Sequence, residues 1–207
     1  MEARFSVPFM LFMKANVWSF CTGGARRWLL AVLLFSAMAP AASAQGGLFA
    51  TPAGKVSFFS KAPLEDIEAD NNAASSLVNT ATNEVSVRIP INKFDFPNEL
   101  MQEHFNDDFL ESAKYPVATF KGKIIEAVTW TKPGTYAVTA TGLLIIHGVS
   151  QQRTLKGALQ VGDNTLRLES VFLVKLADFN IKIPTLLFQK ISEQIEVKCL
   201  FVYGPYK

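Results

Sequence analysis

Along most of this chain hydrophobic and polar positions alternate with a period of two. Val85, Val87 and Ile89 alternate with Glu84, Ser86 and Arg88, and Leu155, Gly157, Leu159 and Val161 with Thr154, Lys156, Ala158 and Gln160. Leu166, Leu168, Ser170, Phe172 and Val174 form a third series, and Ile195, Val197, Cys199 and Phe201 a fourth. Side chains two apart share one face of a strand, so each series predicts a strand with one buried face. The β-branched and aromatic content agrees.

Turn residues fall between the series: Asn79–Asn83, Pro133-Gly134, Gly148 and Gly162-Asp163-Asn164. They supply the pre-set or positive φ that tight connections need. About eight strands result, over 54–61, 64–71, 84–91, 117–127, 134–147, 150–161, 165–176 and 194–203. The pattern predicts an all-β protein, an antiparallel sheet that curls or closes. Eight strands would enclose an interior wide enough for one small ligand.

Two stretches break the alternation. Pro97-Asn98 opens a helical segment in which Asn98 is the expected N-cap and Glu99 complements the positive helix end. Met101, Phe105 and Phe109 then recur every four residues, one apolar stripe suited to covering a barrel end. In 177–192, Phe179, Ile181 and Ile183 alternate up to Pro184, and Leu186, Leu187 and Ile191 follow at helical spacing. This predicts a strand leading into a second short cover.

The N-terminal region reads as a targeting signal. Arg26-Arg27 precede the apolar run Trp28–Met38, and Ala42-Ser43-Ala44 forms an A-x-A cleavage site before Gln45. The run is too short to cross a bilayer, which takes roughly twenty apolar residues. Met13-Lys14 offers a later start than Met1. The division is therefore a signal peptide over 1–44 and one domain over 45–207, exported to the periplasm or secreted. Cleavage would remove Arg4, Lys14, Arg26 and Arg27 but only one acid, Glu2, taking the formal charge from +2 to −1. Nothing electrostatic then favours nucleic acid or an anionic membrane. Cys21 would leave with the signal, so Cys199 has no intramolecular disulfide partner.

Chemistry-bearing residues are sparse. His104, His147 and Cys199 lie more than forty positions apart and form no close-spaced ligand pair of the kind metal sites use. His147 is expected to face outward at a strand end, solvated or hydrogen-bonded. Cys199 shares a face with Ile195, Val197 and Phe201 and reads as a buried, inert thiol. No G-x-S-x-G elbow occurs, and Asp107, Asp108 and Glu111 read as acids opening a helical turn rather than a catalytic pair. No catalytic residue, metal site or cofactor is assigned. Lys93, Lys114 and Lys121 read as solvated, with head-group contact as the alternative.

Phe58, Ala118, Phe120, Val138, Leu144, Ile146, Leu159, Phe172, Val197 and Phe201 fall on the expected inner face, with Met101 and Phe105 contributed by the cover. Small residues among them, Gly122, Ala140, Gly157 and Ser170, leave room. By pattern alone a filled core and a ligand cavity remain equally open.

Two segments carry a family resemblance. One runs Glu103-His104, Asp108-Phe109-Leu110, Lys114-Tyr115-Pro116 and Thr119-Phe120; the other has Gly142, Leu144, Ile146, Gly148, Val149 and Ser150. With the opening Val56–Ser60, in this order, the chain resembles the YceI-like family of bacterial lipid-binding proteins. Two departures bear on ligand identity. Lys61-Ala62-Pro63 stands where many members carry a histidine, and Asn71–Thr82 is longer and more polar than the usual first hairpin. The resemblance implies a lipocalin-like barrel with one or two covering helices. It also implies a non-catalytic exported carrier of a polyisoprenoid, quinone or fatty-acid-like lipid, its cavity lined by the twelve residues just named. A filled barrel serving as a stress-response or protein-interaction module is the alternative, and a lipid-modifying enzyme ranks below both. Tyr115 is expected to pack at the mouth. The implied partner is a hydrophobic small molecule, with neither nucleic acid nor integral membrane association, and the oligomeric state stays open, a homodimer included.

Overall fold

The computed structural model describes residues 47–64, 66–183 and 191–206. The expected signal segment lies outside the described residues. Eight antiparallel strands follow in chain order: β1 (Leu48–Lys61), β2 (Asp66–Asn79), β3 (Glu84–Pro90), β4 (Val117–Ile124), β5 (Gly134–Ile146), β6 (Val149–Val161), β7 (Leu166–Lys175) and β8 (Gln194–Pro205). Each bonds to the next and β8 to β1, closing a barrel. Closure pairs the edges that an open sheet would leave to aggregate. One helix, α1 (Glu99–His104), sits between β3 and β4. No described helix is long and apolar enough to cross a membrane.

The strands match the alternation closely except at the start. β1 begins at Leu48 rather than residue 54, and β2 continues to Asn79 through the polar stretch read as hairpin. Polar residues occupy inward positions there because each has a partner. Asn71 Nδ2 donates to the Pro90 carbonyl at 2.7 Å, and its Oδ1 accepts from the Ala73 amide at 2.8 Å. Ser76 Oγ donates to the Ser86 carbonyl at 3.0 Å and meets the Tyr203 hydroxyl at 2.9 Å. Register shifts between Thr51 and Gly54, and between Gly54 and Val56, keep the two long strands in phase.

Two ladders stop well short of one end of the barrel; at the other, β5 runs on past β4 from Thr139 to Gly134, paired there with β6 alone. β2 pairs with β3 only over Ser75–Asn79, and β6 with β7 only over Gly157–Val161. The chain after β3 fills the first gap, where Asp70 and Asp95 exchange backbone bonds of 3.1 and 2.8 Å. A 3-10 turn, Leu176–Phe179, fills the second and buries Phe179 completely. Gln151 donates to the Asp178 carbonyl at 2.8 Å, while Arg153 reaches the Leu173 carbonyl at 2.7 Å and the Asp178 carboxylate at 3.3 Å. The strand expected over Phe179–Ile183 is therefore corrected to this turn. Asn180 follows in the left-handed region at φ 56°, a conformation asparagine tolerates and extended backbone does not use. The second cover expected beyond Pro184 falls on residues 184–190, outside the described residues.

At the more fully paired end the interior is closely packed. Phe201, Tyr203, Leu159, Leu166, Val78 and Ile124 are all at most 2% exposed. The Phe201 ring lies against Gly54 so closely that a Cβ there would come within 2.1 Å of it. Burial pushes the Tyr203 hydroxyl far above its ordinary range, so it stays neutral and bonded to Ser76.

Candidate functional site

At the other end the same inward faces surround a cavity of about 490 Å³. This falls within the range of small-molecule pockets. Strand positions Val56, Phe58, Ile67, Ile89, Ala118, Leu144, Ile146, Phe172, Val174, Ile195 and Val197 form its wall. Phe58, Ile67, Ile89, Ile146, Phe172 and Val197 are only half-buried although they point inward, since they face this space.

The cover closes over it as the stripe predicts. Asn98 Oδ1 accepts from the amides of Leu100 and Met101 at 2.9 and 3.3 Å, starting α1 at the expected cap. Past His104 the chain widens into a π-turn, Phe105–Phe109, with the Leu110 amide donating five residues back to Phe105 at 2.9 Å. Such wide turns recur at functional sites. Met101, Phe105 and Phe109 all line the cavity. Phe105 packs on three further rings: stacked on Phe58 at 5.5 Å, against Phe94 at 5.5 Å and Phe96 at 4.9 Å. Each aromatic pair adds about 0.5–1.5 kcal/mol beyond burial.

Eight of the twelve expected lining residues border this cavity: Phe58, Met101, Phe105, Ala118, Leu144, Ile146, Phe172 and Val197. Phe120, Val138 and Phe201 point inward too, but they adjoin a separate void of about 70 Å³ deeper in the barrel. Leu159 borders neither space and is wholly core. These four are corrected from cavity wall to interior packing. Phe94 and Phe96 were missed. The signal was present, because Ile89, Ile91, Phe94 and Phe96 precede Pro97 with Asp95 between the two rings.

Polar chemistry in the lining is scarce. Among the described lining residues only Ser60, Asn98 and His104 are polar. Ser60 Oγ accepts from the Ser192 amide at 3.0 Å, Asn98 caps α1, and His104 Nδ1 pairs with Asp108 at 2.6 Å. Neither Lys93, Lys114 nor Lys121 borders the cavity. Cys199 lies inward by the deeper void, where burial pushes its thiol up to about 12. No group of three or more metal-ligating side chains converges among the described residues.

The two diagnostic sequence segments meet at the rim. His147, expected outside the cavity and solvated or hydrogen-bonded, is hydrogen-bonded and bridges two segments. Nε2 lies 2.7 Å from Glu111 Oε2 and Nδ1 3.2 Å from the Phe179 carbonyl. Glu111 and His147 both take positive φ, 43° and 51°, unusual for residues with a Cβ. Tyr115 stands edge-on to His147 at 4.5 Å and covers Gly148, where a Cβ would lie 2.5 Å from its ring. With φ at 73°, position 148 requires glycine on both counts. Tyr115 thus packs at the rim, outside the cavity lining.

Solved structures share the barrel. A polyisoprenoid binding domain from Saccharophagus degradans, implicated in plant cell wall breakdown, superimposes with a TM-score of 0.68 at 18% identity, covering 78% of this chain and 100% of that one. BcnA of Burkholderia cenocepacia gives 0.62 at 22% identity, covering 72% and 95%. At these identities the likeness concerns fold. No curated protein matches the chain. The profile of the YceI-like domain matches residues 36–203, across every strand and the cover, and the chain belongs to that family.

Proposed function

We propose that the protein is a non-catalytic carrier that sequesters one extended apolar molecule in the cavity beneath α1. The observation that carries this reading is a chamber of about 490 Å³ whose described lining is apolar except for Ser60, Asn98 and His104. Burial of an apolar tail supplies the driving force, about 25 cal/mol per Å² removed from water. A few hundred Å² then supports micromolar binding after association costs. An ionised carboxylate inside would lack a counter-charge and lose its hydration. A neutral isoprenoid or quinone therefore suits the chamber better than a fatty acid. The polyisoprenoid-binding neighbour from Saccharophagus degradans supports the same ligand class. The filled-barrel alternative is disfavoured by the chamber itself.

We assign the carrier to the periplasm or the exterior, after cleavage before Gln45. Intact-mass analysis of exported protein is expected to show residues 1–44 removed; their retention would refute export by this route. For the ligand, protein purified without detergent is examined by native mass spectrometry and solvent extraction. One neutral apolar molecule per chain is expected. Protein that emerges empty and takes up neither an isoprenoid alcohol nor a quinone would overturn the carrier reading.

A further inference from the structure

The chamber and the deeper void of about 70 Å³ share three wall residues, Ile89, Leu144 and Phe172. These come from β3, β5 and β7, so they close in from separate sides of the barrel. Beyond them the void is bordered almost wholly by carbon, with Phe120, Val138, Leu155, Leu168 and Phe201 around it. Phe172 is the largest of the three and sits one inward position deeper than Val174, which borders only the chamber. Its neighbour one step further in, Ser170, borders only the void and uses its hydroxyl on the Lys156 carbonyl at 2.7 Å. The Phe172 ring therefore stands between the two spaces.

We propose that Ile89, Leu144 and Phe172 form a floor that sets the longest tail the carrier accepts, with Phe172 as the length-determining residue. This rests on the carrier reading and adds to it a specificity by chain length. A tail that fills the chamber meets the Phe172 ring. A longer one must leave its end outside the mouth, where further carbons contribute nothing to burial. Removing the ring joins the chamber to an apolar void that is already present, so added length becomes buried length.

The test is a binding series with isoprenoid alcohols that lengthen one isoprene at a time, from geraniol through farnesol and geranylgeraniol upwards. In the unmodified protein affinity is expected to rise with length and then stop rising. In F172A that limit moves at least one isoprene higher. The first alcohol past the old limit should gain roughly tenfold, the effect of burying about two more methylenes. I67A widens the chamber at a wall position not paired with any floor residue and leaves the limit where it was. A140L in the F172A background refills the void from β5 and returns the limit to its original place. If F172A does not fold, F172L is used, with a smaller shift in the same direction. An unchanged limit in folded F172A or F172L, or an equal shift in I67A, would overturn the floor. Failure of the unmodified protein to bind any alcohol in the series would instead overturn the carrier reading itself.

Discussion

The two halves of this barrel are built from the same strands and the same inward faces, yet one is closely packed around a void of only about 70 Å³ and the other holds a chamber of about 490 Å³. On β7 and β8, Leu166, Phe201 and Tyr203 are almost fully buried, whereas Phe172 and Val197, a few steps along the same faces, are half-buried against open space. The residue types do not differ much. What differs is the ladder. Where most strand pairs persist, large side chains fill the interior. Where β2 parts from β3 and β6 from β7, inserted segments take the place of the ladder and the chamber lies against them. A cavity here is a property of strand pairing as much as of side-chain size.

Substitution in each half should separate these roles. The largest effect is expected from F201A in the closely packed half. Its ring packs on Gly54 and beside Tyr203 at 6.1 Å, so truncation should cost about 3–5 kcal/mol in denaturant or thermal unfolding. Ligand affinity measured on the remaining folded protein should be nearly unchanged. F58A in the hollow half should do the reverse, with a smaller loss of stability and a clear change in binding. Equal stability losses at both positions would break the comparison.

A smaller effect is expected from S76A. It leaves the buried Tyr203 hydroxyl without its partner, at a cost of about 1–3 kcal/mol by chemical denaturation. Adding Y203F should recover much of that loss, because the orphaned hydroxyl is then gone.

Inward and outward were legible along nearly every strand, because a period of two reports which face a side chain takes. Depth along the barrel axis was not. Phe120 and Phe172 carry the same alternation signal, yet one packs the core and the other faces the chamber. The cover was legible down to its cap, since Asn98 and the Met101, Phe105 and Phe109 stripe are local features. β2 was only half legible because its inward Asn71 and Ser76 depend on partners far away, Pro90, Ser86 and Tyr203. The rim contact between Tyr115 and Gly148 lay in the two segments that carried the family resemblance. Its reason, a ring packed on a glycine with positive φ, needed the fold.

The cover sharpens the comparison kinetically. F105E places a charge among Phe58, Phe94 and Phe96 without touching the closely packed half. Ligand release should accelerate while amides of the closely packed end keep their protection from hydrogen exchange. Global loss of protection would make the segment a structural plug instead.

The smallest expected effect concerns Cys199. Its thiol is raised from 9.0 to about 12 by burial, so the folded state holds the proton more tightly than the unfolded chain. The associated stability is complete below pH 9 and declines as pH rises towards 12. C199A or C199S should lose that alkaline decline. In the native protein at pH 8 a thiol reagent should label Cys199 only as fast as the barrel opens; rapid labelling would show that the interior there is wet.

The most direct measurement is methyl NMR of the protein titrated with a neutral isoprenoid alcohol such as farnesol. Saturable shifts are expected at Ile67, Ile89, Leu144, Ile146, Val174 and Val197, with Val78, Leu159 and Leu166 unmoved. Shifts at the outward methyls of Val171, Leu173 and Val202 instead, or no saturable shifts anywhere, would contradict a carrier whose hollow half holds the ligand.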